Sequence, residues 1–179
     1  MQSLKFGVVD QLVMESRNVR ITKSEAIDLS RRGSFVGNPT MSASKHVRGA
    51  FGEGLVKGWL GLLGYKIRDH PLLIRAEDFG LDVFPSLRRF RLVEIVTTNE
   101  TLAVEVKTYG SHCLQGASGD TLEDQLTDAL RWRKLSPGRI LALAVVNYYG
   151  RPVISKSDLG FIRANRIPIL RFVIRGMSG

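Results

Sequence analysis

The amino-acid sequence predicts an α/β protein in which a mixed β-sheet is sandwiched by helices. Three segments carry that fold class. Thr101-Leu-Ala-Val-Glu-Val-Lys-Thr-Tyr109 follows a period of two: Leu102, Val104 and Val106 fall on one side of an extended strand, Ala103, Glu105 and Lys107 on the other. Ile140-Leu-Ala-Leu-Ala-Val-Val-Asn147 is apolar without alternation, as a strand covered on both faces must be. Between them, Asp120 to Lys134 is acidic in its first turn and basic in its last, with Leu122, Leu126, Ala129 and Leu130 on one stripe. Strand, helix and buried strand in that order make a parallel pair joined by a right-handed crossover.

At 179 residues the chain is expected to form one main domain over residues 44–179. Residues 1–43 form an N-terminal extension or small subdomain of unread role. Its hydrophobic fraction of 44% and charged fraction of 24% match an ordinary globular protein. No apolar run suffices to cross a bilayer, and the first residues lack a signal-peptide core, so a cytoplasmic protein without a membrane partner is expected. Cys113 is the only cysteine, which excludes an intrachain disulfide and a thiolate zinc site. A formal charge of +9 favours a polyanionic partner, nucleic acid first. The cations cluster at Arg88, Arg89 and Arg91, at Arg131, Arg133 and Lys134, and at Arg163, Arg166, Arg171 and Arg175.

The elements follow in order. Phe6 to Met14 is a strand or short helix, and Thr22 to Ser30 starts with a capping residue and ends near Gly33. Gly37-Asn-Pro-Thr40 marks a turn. Ser44 to Gly64 is a helix with Phe51, Leu55, Trp59, Leu62 and Leu63 on one stripe and Glu53 at its edge. Gly54, Gly58 and Gly61 lie on the other side. Each costs about 1 kcal/mol relative to alanine inside a helix, so another backbone is expected to approach there: a second helix, a subunit or a phosphate chain.

Pro71–Arg75, Leu81–Ser86 and Arg89–Val96 are the next strands, and Thr97 to Glu100 turns the chain into the Glu105 strand as an antiparallel meander. Gly110 to Gly119 reads as a loop. Asp158 to Asn165 is a helix, and Ile167 to Ile174 closes the sheet.

The chemistry centres on Glu105-Val-Lys107. A carboxylate and an ammonium share one face of a strand otherwise apolar enough to be interior. Burying ions costs free energy unless they are paired with each other or with a metal. This Glu-x-Lys is therefore either a private ion pair or half of a metal-dependent active site. Asp82 precedes Glu105 by 23 residues, room for one strand out and one back. Two carboxylates held together call for a cation between them. With oxygen ligands alone it would be a hard one, Mg²⁺ or Mn²⁺.

Asp82 followed by Glu105-x-Lys107 resembles the PD-(D/E)xK nuclease superfamily, the restriction-endonuclease-like fold. Arg48-Gly-Ala-Phe-Gly-Glu53 with Leu63-Gly-Tyr-Lys-Ile67 is similar to the opening helix of archaeal Holliday-junction-resolvase-like nucleases, and the resemblance covers about residues 45–175. It implies a restriction-endonuclease-like core, Asp82 and Glu105 as metal ligands, Lys107 as the catalytic lysine and Glu53 as an accessory acid. Leu81 stands where the family name implies proline. Gln125 sits roughly where some exonuclease branches carry a glutamine, but Ala129 replaces the tyrosine expected after it, so no role is carried over to Gln125.

The expected function is hydrolysis of DNA phosphodiester bonds by a Mg²⁺-dependent endonuclease acting on duplex or branched DNA. A homodimer is the natural way to cut two strands. The alternative is a non-catalytic nucleic-acid-binding or scaffold subunit of a tRNA-splicing-endonuclease-like complex. Ser24–Gly33 and Phe79–Phe84 are similar to such subunits, although counterparts of the histidine and lysine that their catalytic members use are not found. His46, His70 and His112 are too scattered in sequence to suggest a metal site.

Overall fold

The computed structural model describes residues 15–37, 44–75, 90–109, 122–147 and 154–177. In chain order these form β1 (Arg17–Thr22), α1 (Lys23–Arg32), α2 (Lys45–Leu62), β2 (Leu72–Arg75), β3 (Phe90–Val93), β4 (Ile95–Val96), β5 (Leu102–Tyr109), α3 (Leu122–Lys134), β6 (Ile140–Asn147), α4 (Lys156–Ala164) and β7 (Ile169–Arg175). The protein is a mixed α/β structure. Its main sheet has five strands in the order β1-β7-β6-β5-β4. β5 runs parallel to β6, β6 to β7 and β7 to β1, while β4 is antiparallel to β5. The expected strands Pro71–Arg75 and Arg89–Val96 are present, but β2 and β3 pair only with each other, in a separate antiparallel ribbon.

Both faces of the sheet are covered at its centre, which explains the unbroken apolar run of β6. On one side Ala26 and Leu29 of α1 and Phe51, Leu55, Val56 and Leu60 of α2 pack on Leu102, Val104, Ala142, Ala144 and Phe172. On the other, Leu122, Leu126, Ala129 and Leu130 of α3 and Ile162 of α4 pack on Ala103, Leu141, Leu143 and Val145. The four α3 residues are the stripe expected from the sequence.

The N-terminal stretch, expected as an extension or subdomain, supplies an edge strand and a helix to this same architecture. Thr22 caps α1 in a capping box: its Oγ1 accepts from the Glu25 amide at 3.2 Å, and its own amide donates to Glu25 Oε2 at 2.7 Å. β1 escaped the sequence reading because Arg17, Asn18 and Arg20 leave only Val19 and Ile21 as apolar alternation. Phe6–Met14 and Leu81–Ser86 lie outside the described residues.

The glycines of α2 are explained by α1. A β-carbon on Gly54 would press on Ser30 O and Phe35, and one on Gly58 would run into Leu29 O. At Gly54 and Gly58 the approaching backbone is thus a second helix of the same chain; Gly61 faces open space. Because that side of α2 leans on α1, the buried stripe rotates to Phe51, Leu55, Val56 and Leu60. Leu62, expected on the stripe, is 60% exposed.

Candidate active site

β5 is the strand from which the site is built. Its alternation directs Leu102, Val104 and Val106 to the α1–α2 core and Ala103 to the opposite core, with Glu105 and Lys107 on the Ala103 side. Glu105 is buried, with 7% of its surface exposed. Lys107 Nζ donates to Glu105 Oε1 at 2.6 Å. The expected pairing of these two residues is therefore present, with the short length of a charge-assisted hydrogen bond.

α2 delivers the second component. Gly52 stands against β5 so closely that a β-carbon there would run into Thr108 Oγ1. The next residue, Glu53, is half-buried. Burial, then the negative charges of Glu94 and Glu105, raise its carboxyl from 4.5 to about 7, against the opposing pull of Lys57 and Lys107. Glu53, Glu105 and Lys107, singled out in the sequence, thus act on one another through space. Asp82 lies outside the described residues.

Glu94 was missed. It occupies the break between β3 and β4 and is half-buried. Ile95 pairs with Val104 and Val96 with Ala103, so Glu94 sits at the bend just before the strand that pairs with β5, one residue beyond the end of that ladder. The signal was available in the sequence. Glu94 lies 11 residues before Glu105 with only the Thr97–Glu100 turn to reverse the chain, a tighter constraint than the 23-residue separation of Asp82. Alternation of arginine with apolar residues in Arg89–Val96 drew attention to a basic face and away from the acid inside it.

Three carboxylates and two lysines act on Glu53 or stand with it, and its raised carboxyl reflects burial first and the neighbouring negative charges second. Carboxylate oxygens are the donors that a hard divalent cation takes, and such an ion is ordinarily held by one or two of them, with water and substrate phosphate completing its shell. Glu105 and Glu94 fit that donor set. Among the described residues no group of three or more histidine, cysteine, aspartate or glutamate side chains is arranged to hold a metal ion by itself. His46 and His70 are exposed, and His112 lies outside the described residues. Gln125 is buried on α3. Among the described residues no helix is long and apolar enough to cross a membrane.

No protein-family model, curated protein or solved structure matches this chain.

Proposed function

We propose that the protein is a Mg²⁺- or Mn²⁺-dependent deoxyribonuclease with a restriction-endonuclease-like core. The observation that carries this reading is the buried Glu105–Lys107 pair on a central strand, with Glu94 at the bend before the neighbouring strand and a Glu53 carboxyl that feels the charges of Glu94, Glu105 and Lys107. A structural pair needs no further acids beside it. In an interior site their repulsion is a cost that a divalent cation and a phosphodiester would relieve.

Glu105 and Glu94 would hold the cation, with Asp82 retained as a candidate ligand from the sequence. When bound, such an ion lowers the pKa of water and polarises a phosphodiester oxygen. Lys107, fixed by Glu105, would orient the attacking water and neutralise charge accumulating on the phosphate. Glu53, poised near neutrality, would take up or hold a proton at its carboxyl group. Phosphate contacts from the basic surface would supply most of the affinity. A homodimer remains part of the proposal for duplex cutting.

A second reading keeps the fold and drops the chemistry: a nucleic-acid-binding or scaffold subunit in which Lys107 simply neutralises Glu105. The closed ion pair favours it, since the pair needs no metal to be satisfied. The test is a labelled panel of linear duplex, single strand, four-way junction and structured RNA, incubated with Mg²⁺, Mn²⁺ or EDTA. Cleavage of DNA in metal alone, lost in Lys107→Ala, supports the nuclease. Tight salt-sensitive binding without cleavage supports the subunit.

A further inference from the structure

The register of the sheet aligns the site with an arginine-bearing surface. Lys107 pairs with Val145, Val145 with Arg171, and Arg171 with Asn18, so these four residues form one row across β5, β6, β7 and β1. Partners in a row share a face, which puts Arg171 on the same side of the sheet as Lys107, two strand spacings or about 10 Å away. In the next row Asn147 pairs with Val173 and Val173 with Arg20; beyond it, Arg175 pairs with Thr22. Arg20 therefore stands diagonally between Arg171 and Arg175.

Among the described residues no helix covers this part of the sheet. The opposite faces of β7 and β1 are closed by the α1–α2 core, where Leu170, Phe172, Ile174 and Ile21 are buried. On the arginine face, β7 contributes only Ile169 to the α3–α4 core and β1 contributes nothing. Asn18, Arg20, Thr22 and Arg175 are exposed, and Arg171 is half-buried. Among the described residues Arg20, Arg171 and Arg175 form no salt bridge. Among the described residues, Glu25 feels the charge of Arg175 and is held in the capping box of α1.

An exposed sheet face with three arginines and, among the described residues, no acid in its rows is complementary to a polyanion. Guanidinium groups match phosphate oxygens in a bidentate way and give up water more readily than ammonium groups. We infer that the exposed β7–β1 face is a track for the phosphate backbone of duplex DNA, carried by Arg20, Arg171 and Arg175 and separated from Lys107 by the buried Val145 of β6. The proposed function enters only in the choice of DNA as the polyanion. On this geometry, DNA lies along the β1 edge of the sheet, over β7 and β1.

The test is fluorescence-anisotropy binding of a labelled DNA duplex in EDTA across a salt series. Wild type, Arg20→Ala/Arg171→Ala/Arg175→Ala and the charge-matched control Lys23→Ala/Arg31→Ala/Arg32→Ala on α1 are compared. If each arginine neutralises one phosphate, the slope of log affinity against log salt falls by about 2 to 3 in the track variant. The control stays near wild type, and the triple Arg→Lys variant keeps most of the slope. An unchanged slope in the track variant, or an equal loss in the control, overturns the proposal. So does wild-type binding to anionic phosphatidylserine vesicles but not to the duplex. Cleavage is scored separately: a protein that binds along this track without cutting retains the track and loses the nuclease, and one that cuts while the track variant binds normally does the reverse.

Discussion

Gly52 and Thr108 bring the helix and the strand of the site together. A β-carbon on Gly52 would run into Thr108 Oγ1, and that hydroxyl is buried without a hydrogen-bond partner among the described residues. Only a bare backbone allows α2 to lie this close to β5, and this closeness puts Glu53 within the field of Glu105 and Lys107. Gly52→Ala should destabilise the fold by about 1–3 kcal/mol through overpacking and lower cleavage beyond what the loss of folded protein explains. Thr108→Gly in the same chain should recover much of both. Urea unfolding and cleavage per folded molecule check this; an unaltered midpoint in Gly52→Ala would show that the contact is not tight.

Lys107→Ala leaves the buried Glu105 carboxylate without its cation. Removing one member of a buried pair costs about 3 kcal/mol or more, so the variant should melt well below wild type. The double variant Glu105→Gln/Lys107→Met removes both charges and should recover most of that stability while staying inactive. Calorimetric melting of the three proteins measures the difference. Recovery of cleavage in the double variant would remove both residues from the chemistry.

Glu94, at the bend before the strand that pairs with β5, is a candidate second ligand beside Glu105. Glu94→Gln should lower the cleavage rate by at least about tenfold, equivalent to about 1.4 kcal/mol of barrier, with little loss of duplex affinity in EDTA. Asp82→Asn should have the smaller effect. Single-turnover rates of the two variants decide the matter, and the opposite ranking would return the second ligand to Asp82.

Glu53 predicts a pH signature. Its carboxyl is raised from 4.5 to about 7, so the folded protein binds a proton that the unfolded chain has released. The stability from neutral Glu53 is fully present below pH 4.5 and is lost as pH rises through 7. Glu53→Gln should therefore gain stability relative to wild type at pH 8 and not at pH 4. A cation bound nearby favours the ionised form, so Mg²⁺ should raise the wild-type melting temperature more at pH 8 than at pH 5. Melting curves at the three pH values, with and without Mg²⁺, test both signs.

Much of the fold was legible because its signals were local and strong. The period of two around Glu105, the unbroken apolar run of β6 and the charge-polarised α3 each fixed an element and its environment. The α2 glycines were read as a close approach, although only the structure shows that α1 makes it. β1 was lost because an edge strand needs little apolar alternation, and Leu62 because the contact with α1 turns the helix. Glu105 and Lys107 stood out as charges on an apolar strand, and Glu53 through the resemblance of its helix. Glu94 did not, because its importance lies in a position set by the Thr97–Glu100 turn rather than in its own neighbours.

The most direct test is the single-turnover cleavage rate of a labelled DNA duplex by wild type and Glu105→Gln, in Mg²⁺ and in EDTA. A nuclease centre on β5 predicts cleavage by wild type in Mg²⁺ only, with loss of at least about a hundredfold in Glu105→Gln, or 2.7 kcal/mol of barrier. Cleavage that survives in Glu105→Gln, or a wild type that binds the panel and cuts none of it, would contradict it and leave Glu105–Lys107 as a structural ion pair.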